Sequence, residues 1–146
     1  MIFDNRFLKE CLIMLKKEKR KKKQEELDYP KKIADLITLY EQQIKDIMAL
    51  GEVAPPGCWI VRYQARGRKS RYWYYKLHST KEIFPTREPR KKSRYKHLGK
   101  AGSPAYLEGV AQVLRRTQID GLERAIQTLK SGLMDLADEA EKNPSK

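Results

Sequence analysis

Arginine, lysine, tyrosine and tryptophan crowd into residues 58–100. That stretch carries fourteen Lys and Arg against two acidic side chains, Glu82 and Glu88, and it holds both tryptophans and five of the eight tyrosines. Guanidinium and ammonium groups neutralise phosphates and release condensed counterions, while tyrosines donate hydrogen bonds to phosphate oxygens or stack on unpaired bases. The chemistry this mixture can do is recognition of a polyanion. Elsewhere the charges nearly cancel: residues 1–57 are net +2 and residues 101–146 net −1, so the middle of the chain holds +12 of the total +13.

The spacing predicts strands to carry these groups. Trp59, Val61 and Tyr63 alternate with Ile60, Arg62 and Gln64; Arg66-Gly67-Arg68-Lys69-Ser70 supplies a turn; and Arg71 to Leu77 is an aromatic run suited to a second strand. Alternation puts Trp73, Tyr75 and Leu77 on one side and Tyr72, Tyr74 and Lys76 on the other. After a loop with Pro85 and Pro89, Ser93 to Leu98 reads as a third strand. Trp59, Trp73 and Leu77 are expected in the core. The expected binding face is Arg62, Tyr72, Tyr74 and Lys76, with Arg94 and Lys96 at its edge and Arg66, Arg68, Lys69 and Arg71 around the turn. A two- or three-stranded ribbon fits the major groove of duplex DNA, where arginines pair with guanine edges.

Long helices flank this region. Phe3, Phe7, Cys11 and Leu15, with Leu8 and Leu12, predict an amphipathic N-terminal helix over residues 1–27 that turns polar after Leu15. Its basic block, Lys16 to Lys23, reads either as a solvated helical face or as a phosphate-binding arm. Asp28-Tyr29-Pro30 is expected to break it, because a proline disfavours helical geometry in the residue before it. Ile33, Ile37, Tyr40, Ile44 and Ile47 then form the seam of a heptad helix over 28–52. In the C-terminal third Ile119, Leu122, Ile126, Leu129, Leu133 and Leu136 make a matching seam. That helix is expected over 103–138, opened by Gly102-Ser103-Pro104 and followed by a disordered tail at 139–146. Its first half, with Leu107, Val110 and Leu114 on one face, is the nearest cover for a three-stranded sheet over 57–100. Arg115 and Arg116 fall where the register slips. The expected fold is therefore α+β: a three-stranded antiparallel sheet covered by a helix and flanked by heptad-bearing helices that form an antiparallel pair.

Other chemistries find little support. Cys11 and Cys58 have no CxxC spacing, and His78 and His97 form no paired metal motif, so no metal or other cofactor is expected. Gly67-Arg68-Lys69-Ser70 lacks the upstream glycine of a phosphate-binding loop and joins two strands, and no Gly-x-Ser-x-Gly or His-Glu-x-x-His is present. A non-enzymatic protein is expected. Charged residues interrupt every apolar run before it reaches the length of a membrane span, and the N-terminal apolar patch precedes rather than follows its basic block, unlike a secretory signal. The expected location is cytoplasmic, on a nucleoid or plasmid.

Three segments, Gly57-x-Trp59-x-x-Arg62-Tyr63, Tyr74-Tyr75-x-Leu77 and Ser93-Arg94-Tyr95, together with the helix opened by Gly102-Ser103-Pro104, carry a likeness. Over residues 57–117 the chain resembles the arm-binding modules of tyrosine integrases, a three-stranded sheet plus helix. It is also similar to small uncharacterised proteins associated with plasmids or transposases. The resemblance implies binding of duplex DNA through the sheet. No room is expected for the integrase catalytic domain, and the long flanking helices depart from an isolated arm module. The partners expected are duplex DNA and a second copy of the chain, joined through the heptad helices. The alternatives are an adaptor that docks a membrane or protein through residues 1–27, and a binder of RNA or single strands.

Overall fold

A computed structural model of the protein describes residues 5–143. Phe3, part of the expected N-terminal apolar face, and residues 144–146 of the expected tail lie outside the described residues. Two helices and a three-stranded antiparallel sheet make an α+β fold. In chain order these are α1 (Asn5–Leu50), β1 (Trp59–Arg66), β2 (Arg71–His78), β3 (Phe84–Pro85), β4 (Lys92–Ser93), β5 (Tyr95–Gly99) and α2 (Pro104–Lys142). The sheet order is β1-β2-β5, and β3 pairs with β4 in a separate two-stranded ribbon. The chain forms two compact units, one of residues 41–124 and one of the residues before 41 and after 124.

The break expected at Asp28-Tyr29-Pro30 does not occur: α1 runs 46 residues with Pro30 inside it. An interior proline costs about 3 kcal/mol, because it removes one hydrogen bond and crowds the carbonyl four residues back. Residues 16–27 consist only of Lys, Arg, Glu, Gln and Leu, all strong helix formers, so helix arrives at the proline with high local propensity. Gln24 also reaches the Asp28 carboxylate across the turn before it, at 3.5 Å. Glu26, whose carbonyl loses its partner, is exposed, so water can take that place. At the other end α2 continues through Lys142, four residues into the expected tail.

Within residues 41–124 the core is Leu77, Phe84 and Leu98, with Cys58, Ile60, Tyr75, Ile83 and Val113 packed against it. Register explains the set. Ile60 stands opposite Leu77 and Arg62 opposite Tyr75, so these four share the face that α2 covers. Tyr106 meets Tyr75 edge-on at 4.7 Å between ring centroids. Gly109 lets the helix backbone approach β5, since a Cβ there would lie 2.9 Å from both δ-carbons of Leu98. The residues expected to cover the sheet, Leu107, Val110 and Leu114, are instead exposed, Leu107 by 58%. Periodicity finds an apolar stripe on the helix, but the close approach at Gly109 decides which face turns inward. Trp59 and Trp73, also expected in the core, are 43% and 46% exposed, whereas Leu77 is 1% exposed.

The arginines at the register slip clamp the connector between α1 and β1. Arg115 Nη1 donates to the Glu52 carbonyl at 2.9 Å, and Arg116 Nε donates to that of Ala54 at 2.7 Å. The Ala54 amide in turn donates to the Gln112 carbonyl at 3.1 Å. The start of α2 is capped as its residues predict: the Tyr106 amide donates to Ser103 Oγ, which donates to the Leu98 carbonyl at 3.0 Å. Gly99 and Gly102 adopt positive φ in the turn between β5 and α2.

In the other unit Ile33, Ile37 and Tyr40 of α1 are half-buried while their neighbours are exposed, and in α2 Ile126 is buried and Leu129, Leu133 and Leu136 are half-buried. The Ile33 δ-carbon lies 3.9 Å from where a Cβ on Gly132 would sit.

Truncation of the fully buried leucine should separate core from stripe. Leu77→Ala is expected to lower unfolding free energy by about 2–5 kcal/mol, and Leu107→Ala by no more than about 0.5 kcal/mol, measured by chemical denaturation.

Candidate nucleic-acid interface

The β1-β2 hairpin closes through residues 67–70, with the Gly67 amide donating to the Ser70 carbonyl at 2.8 Å and Arg66 facing Arg71 at the strand ends. The Tyr72 ring lies over Gly67, where an added Cβ would overlap it unless the ring moved. Pairing of β1 with β2 and of β2 with β5 sorts every side chain onto one of two faces. The face away from α2 carries Trp59, Val61, Tyr63 and Ala65 of β1, Tyr72, Tyr74, Lys76 and His78 of β2, and Tyr95 and His97 of β5.

Two aromatic rungs cross this open face. Trp59, His78 and Tyr95 form the first, with ring centroids 4.3 and 4.7 Å apart. Tyr63, Tyr74 and His97 form the second, at 5.8 to 6.1 Å. The Tyr63 hydroxyl and His97 Nδ1 share a hydrogen bond of 2.7 Å. Lys76 stands between the rungs, its Nζ 3.9 Å from the Tyr95 ring centroid and 4.8 Å from that of Tyr63. At the hairpin end Lys100 lies over Tyr72 at 4.8 Å. His78 Nδ1 is buried without a hydrogen-bond partner among the described residues.

The structure divides the residues that the sequence singles out. Tyr72, Tyr74 and Lys76 share the open face, as expected. Arg62 does not join them. Opposite Tyr75 on the α2 side, its guanidinium stacks on Trp73 at 3.8 Å, a cation–π contact that also accounts for both side chains standing outside the core. Lys96 pairs with Leu77 and is likewise on the α2 side, lining a small cleft with Leu98, Glu108 and Gly109. Arg66, Arg68, Lys69 and Arg71 surround the turn and are all exposed. Arg94 links β4 to β5, its carbonyl accepting from the Ser79 amide at 2.8 Å and its side chain exposed. Lys76 apart, the open face is paved by aromatic side chains, and the other cations lie at its edges or on the α2 side.

Trp59, Tyr63, His78, Tyr95 and His97 belong to this face and are not among the residues expected there. A signal for them exists: if Leu98 is core, alternation along β5 sends Tyr95 and His97 to the opposite side.

Electrostatics set this region apart. Arg6–Glu10, Arg115–Glu108 and Arg116–Asp120 are ion pairs among the described residues, and none involves a basic side chain of residues 58–100. With Glu82 and Glu88 as the only acidic residues of that stretch, its cations keep their charge uncompensated. No group of three His, Cys, Asp or Glu side chains comes together to hold a metal among the described residues. Nor is any described helix long and apolar enough to cross a membrane. No family model, curated protein or solved structure matches the chain.

Cys58, beneath the first rung, is the one titratable group clearly displaced among the described residues. Burial pushes its thiol up, against the opposing pull of a hydrogen bond with Ser79 and of the Arg116 charge. The thiolate is the reactive form, so in a Cys11→Ser background Cys58 should alkylate slowly at neutral pH and accelerate only above the ordinary thiol range, as followed by mass spectrometry across pH.

Proposed function

We propose that the protein is a non-enzymatic nucleic-acid-binding protein that grips duplex DNA with the open face of its sheet and the cations around it, as the integrase arm modules it resembles do. One observation carries this reading: residues 58–100 bring fourteen basic side chains to a sheet whose aromatic face is uncovered, and no ion pair among the described residues occupies any of them. Cations meant only for solubility are commonly interspersed with carboxylates, and an unpaired cationic rim creates a field that draws in a polyanion. Three strands at about 4.8 Å spacing present a ribbon about 10 Å across, which the major groove of about 12 Å admits. Arg68 and Lys69 at the hairpin tip, with Arg66 and Arg71 behind them, would then meet phosphates or guanine edges.

A second ligand, single-stranded DNA or RNA, is favoured by the two aromatic rungs, because bases stack on such surfaces without regard to sequence. Competition between duplex, single-stranded DNA and RNA at one salt concentration separates the two.

The heptad seams are proposed to pair α1 and α2 antiparallel within one chain, supported by the approach of Ile33 to Gly132 and by the selective burial of the seam residues. With the seams used that way, a homodimer would join through other apolar surface, such as the exposed Leu8, Leu12 and Leu15. The same residues, beside the lysine block, are what an adaptor docking a membrane or protein would use. A plasmid or mobile-element setting follows from the resemblance alone.

The hairpin provides the decisive variant. Arg68→Ala/Lys69→Ala/Arg71→Ala is expected to weaken duplex binding at least about tenfold and to reduce the salt slope by about 0.9 for each phosphate no longer neutralised, read by fluorescence anisotropy over a salt series. Unchanged affinity and slope would remove the hairpin from the interface.

A further inference from the structure

The loop joining β3 to β4 borders an open concavity of about 490 Å³ beside the first aromatic rung. Arg87, Lys91, Lys92 and Arg94 line it, and Tyr95, which stands in the Trp59·His78·Tyr95 rung, forms part of its wall. Arg87 and Lys91 of the loop, Lys92 of β4 and Arg94 just beyond it are thus drawn around one hollow, although like charges repel. Internal hydrogen bonds hold the loop in this shape. Thr86 Oγ1 donates to the Lys91 carbonyl at 2.6 Å and accepts from the Glu88 amide at 3.3 Å, while the Lys91 amide donates to the Glu88 carbonyl at 3.1 Å. Two carboxylates, Glu82 and Glu88, also line the hollow, yet neither comes within ion-pair distance of any of the four cations. The cations are gathered around a loop of fixed backbone, and none of them is ion-paired.

We infer that this hollow is a second phosphate-binding site, which holds a backbone phosphate of the nucleic-acid strand lying across the open face. The inference rests on the proposed function and deepens it, by placing a contact at the end of the sheet opposite the Arg68–Lys69 turn. A strand running from the turn, over the rungs and past Tyr95 enters the hollow directly, so its two ends are gripped by cations and its middle by rings. At 490 Å³ the hollow lies in the range of pockets that hold small ligands, enough for a phosphodiester with an attached sugar. Arginine offers a planar fork to the phosphate oxygens, and lysine a point charge beside it.

The test is the full-length chain carrying Arg87→Gln, Lys91→Gln and Lys92→Gln, titrated with a labelled duplex and a labelled single strand over a salt series. These side chains are exposed, and the loop's own hydrogen bonds use Thr86 and backbone atoms, so the fold is retained, as an unchanged thermal melt will verify. The expected result is binding weakened about tenfold with a salt slope lowered by about 0.9 for each phosphate released. Glu88→Gln, which removes a carboxylate from the wall, should act in the opposite direction and tighten binding. If the glutamine variant keeps the parent slope and affinity while the Arg68/Lys69/Arg71 variant loses both, the second site is overturned and the sheet interface stands. Should the parent chain itself bind neither probe, both fall together.

Discussion

Leu98 against the bare backbone of Gly109 is the contact from which the arrangement of residues 41–124 follows. A three-stranded sheet cannot bury apolar surface without a cover, and α2 supplies one by lying close on the side of Leu77, Ile60 and Tyr75. A larger residue at position 109 would press on the Leu98 side chain and push the helix away from β5. Because α2 is spent on one face, the other face is left to water, together with every aromatic residue whose parity sends it there. The arginine clamps on the 52–54 connector reinforce the choice, since they fasten the entry to β1 onto the same helix. An open face is therefore a consequence of how the core is made.

Uncompensated charge is the second theme. Around the sheet, cations take aromatic rings as neighbours: Arg62 on Trp73, Lys76 on Tyr63 and Tyr95, Lys100 on Tyr72. A ring orients a cation without neutralising it. Such cation–ring pairs are worth about 0.5–1 kcal/mol at exposed sites, enough to restrain a long side chain and too little to compete with a phosphate. A carboxylate in the same place would have to be displaced before a polyanion could bind. The same reasoning makes the basic hollow of the β3-β4 loop and the hairpin tip alike in kind, both being held in shape by backbone or neutral hydrogen bonds that leave the charged ends available.

Much of this is legible in the residues. The first two strands of the sheet, the Gly67 turn and the Ser103 cap lie where alternation and spacing put them, because each depends on neighbours a few positions away; the third strand, expected from Ser93, begins only at Tyr95, because Ser93 pairs with Phe84 in the separate ribbon. Pro30 points the wrong way, since a single unfavourable residue yields to the run of strong helix formers in residues 16–27. Faces are harder. Arg62 and Lys96 belong with the helix side, and Trp59 with the open side, although alternation holds within each strand, because the parity of one strand relative to another is set only by pairing. A tryptophan is a natural core residue until a register turns it outward, and the two histidines, which offer nothing to a metal, enter the open face by the same rule.

By itself the sequence determined that nearly all the net charge and most large aromatic side chains occupy one stretch of about forty residues, and that this stretch is β-structure between helices. Composition and short-range periodicity suffice for that. The tertiary structure alone decided which side of the sheet is covered, that rings pave the open side with Lys76 among them, and that Arg87, Lys91, Lys92 and Arg94 surround one hollow. These outcomes rest on strand register and on one close helix approach, and both join residues too far apart along the chain for any local pattern to relate them.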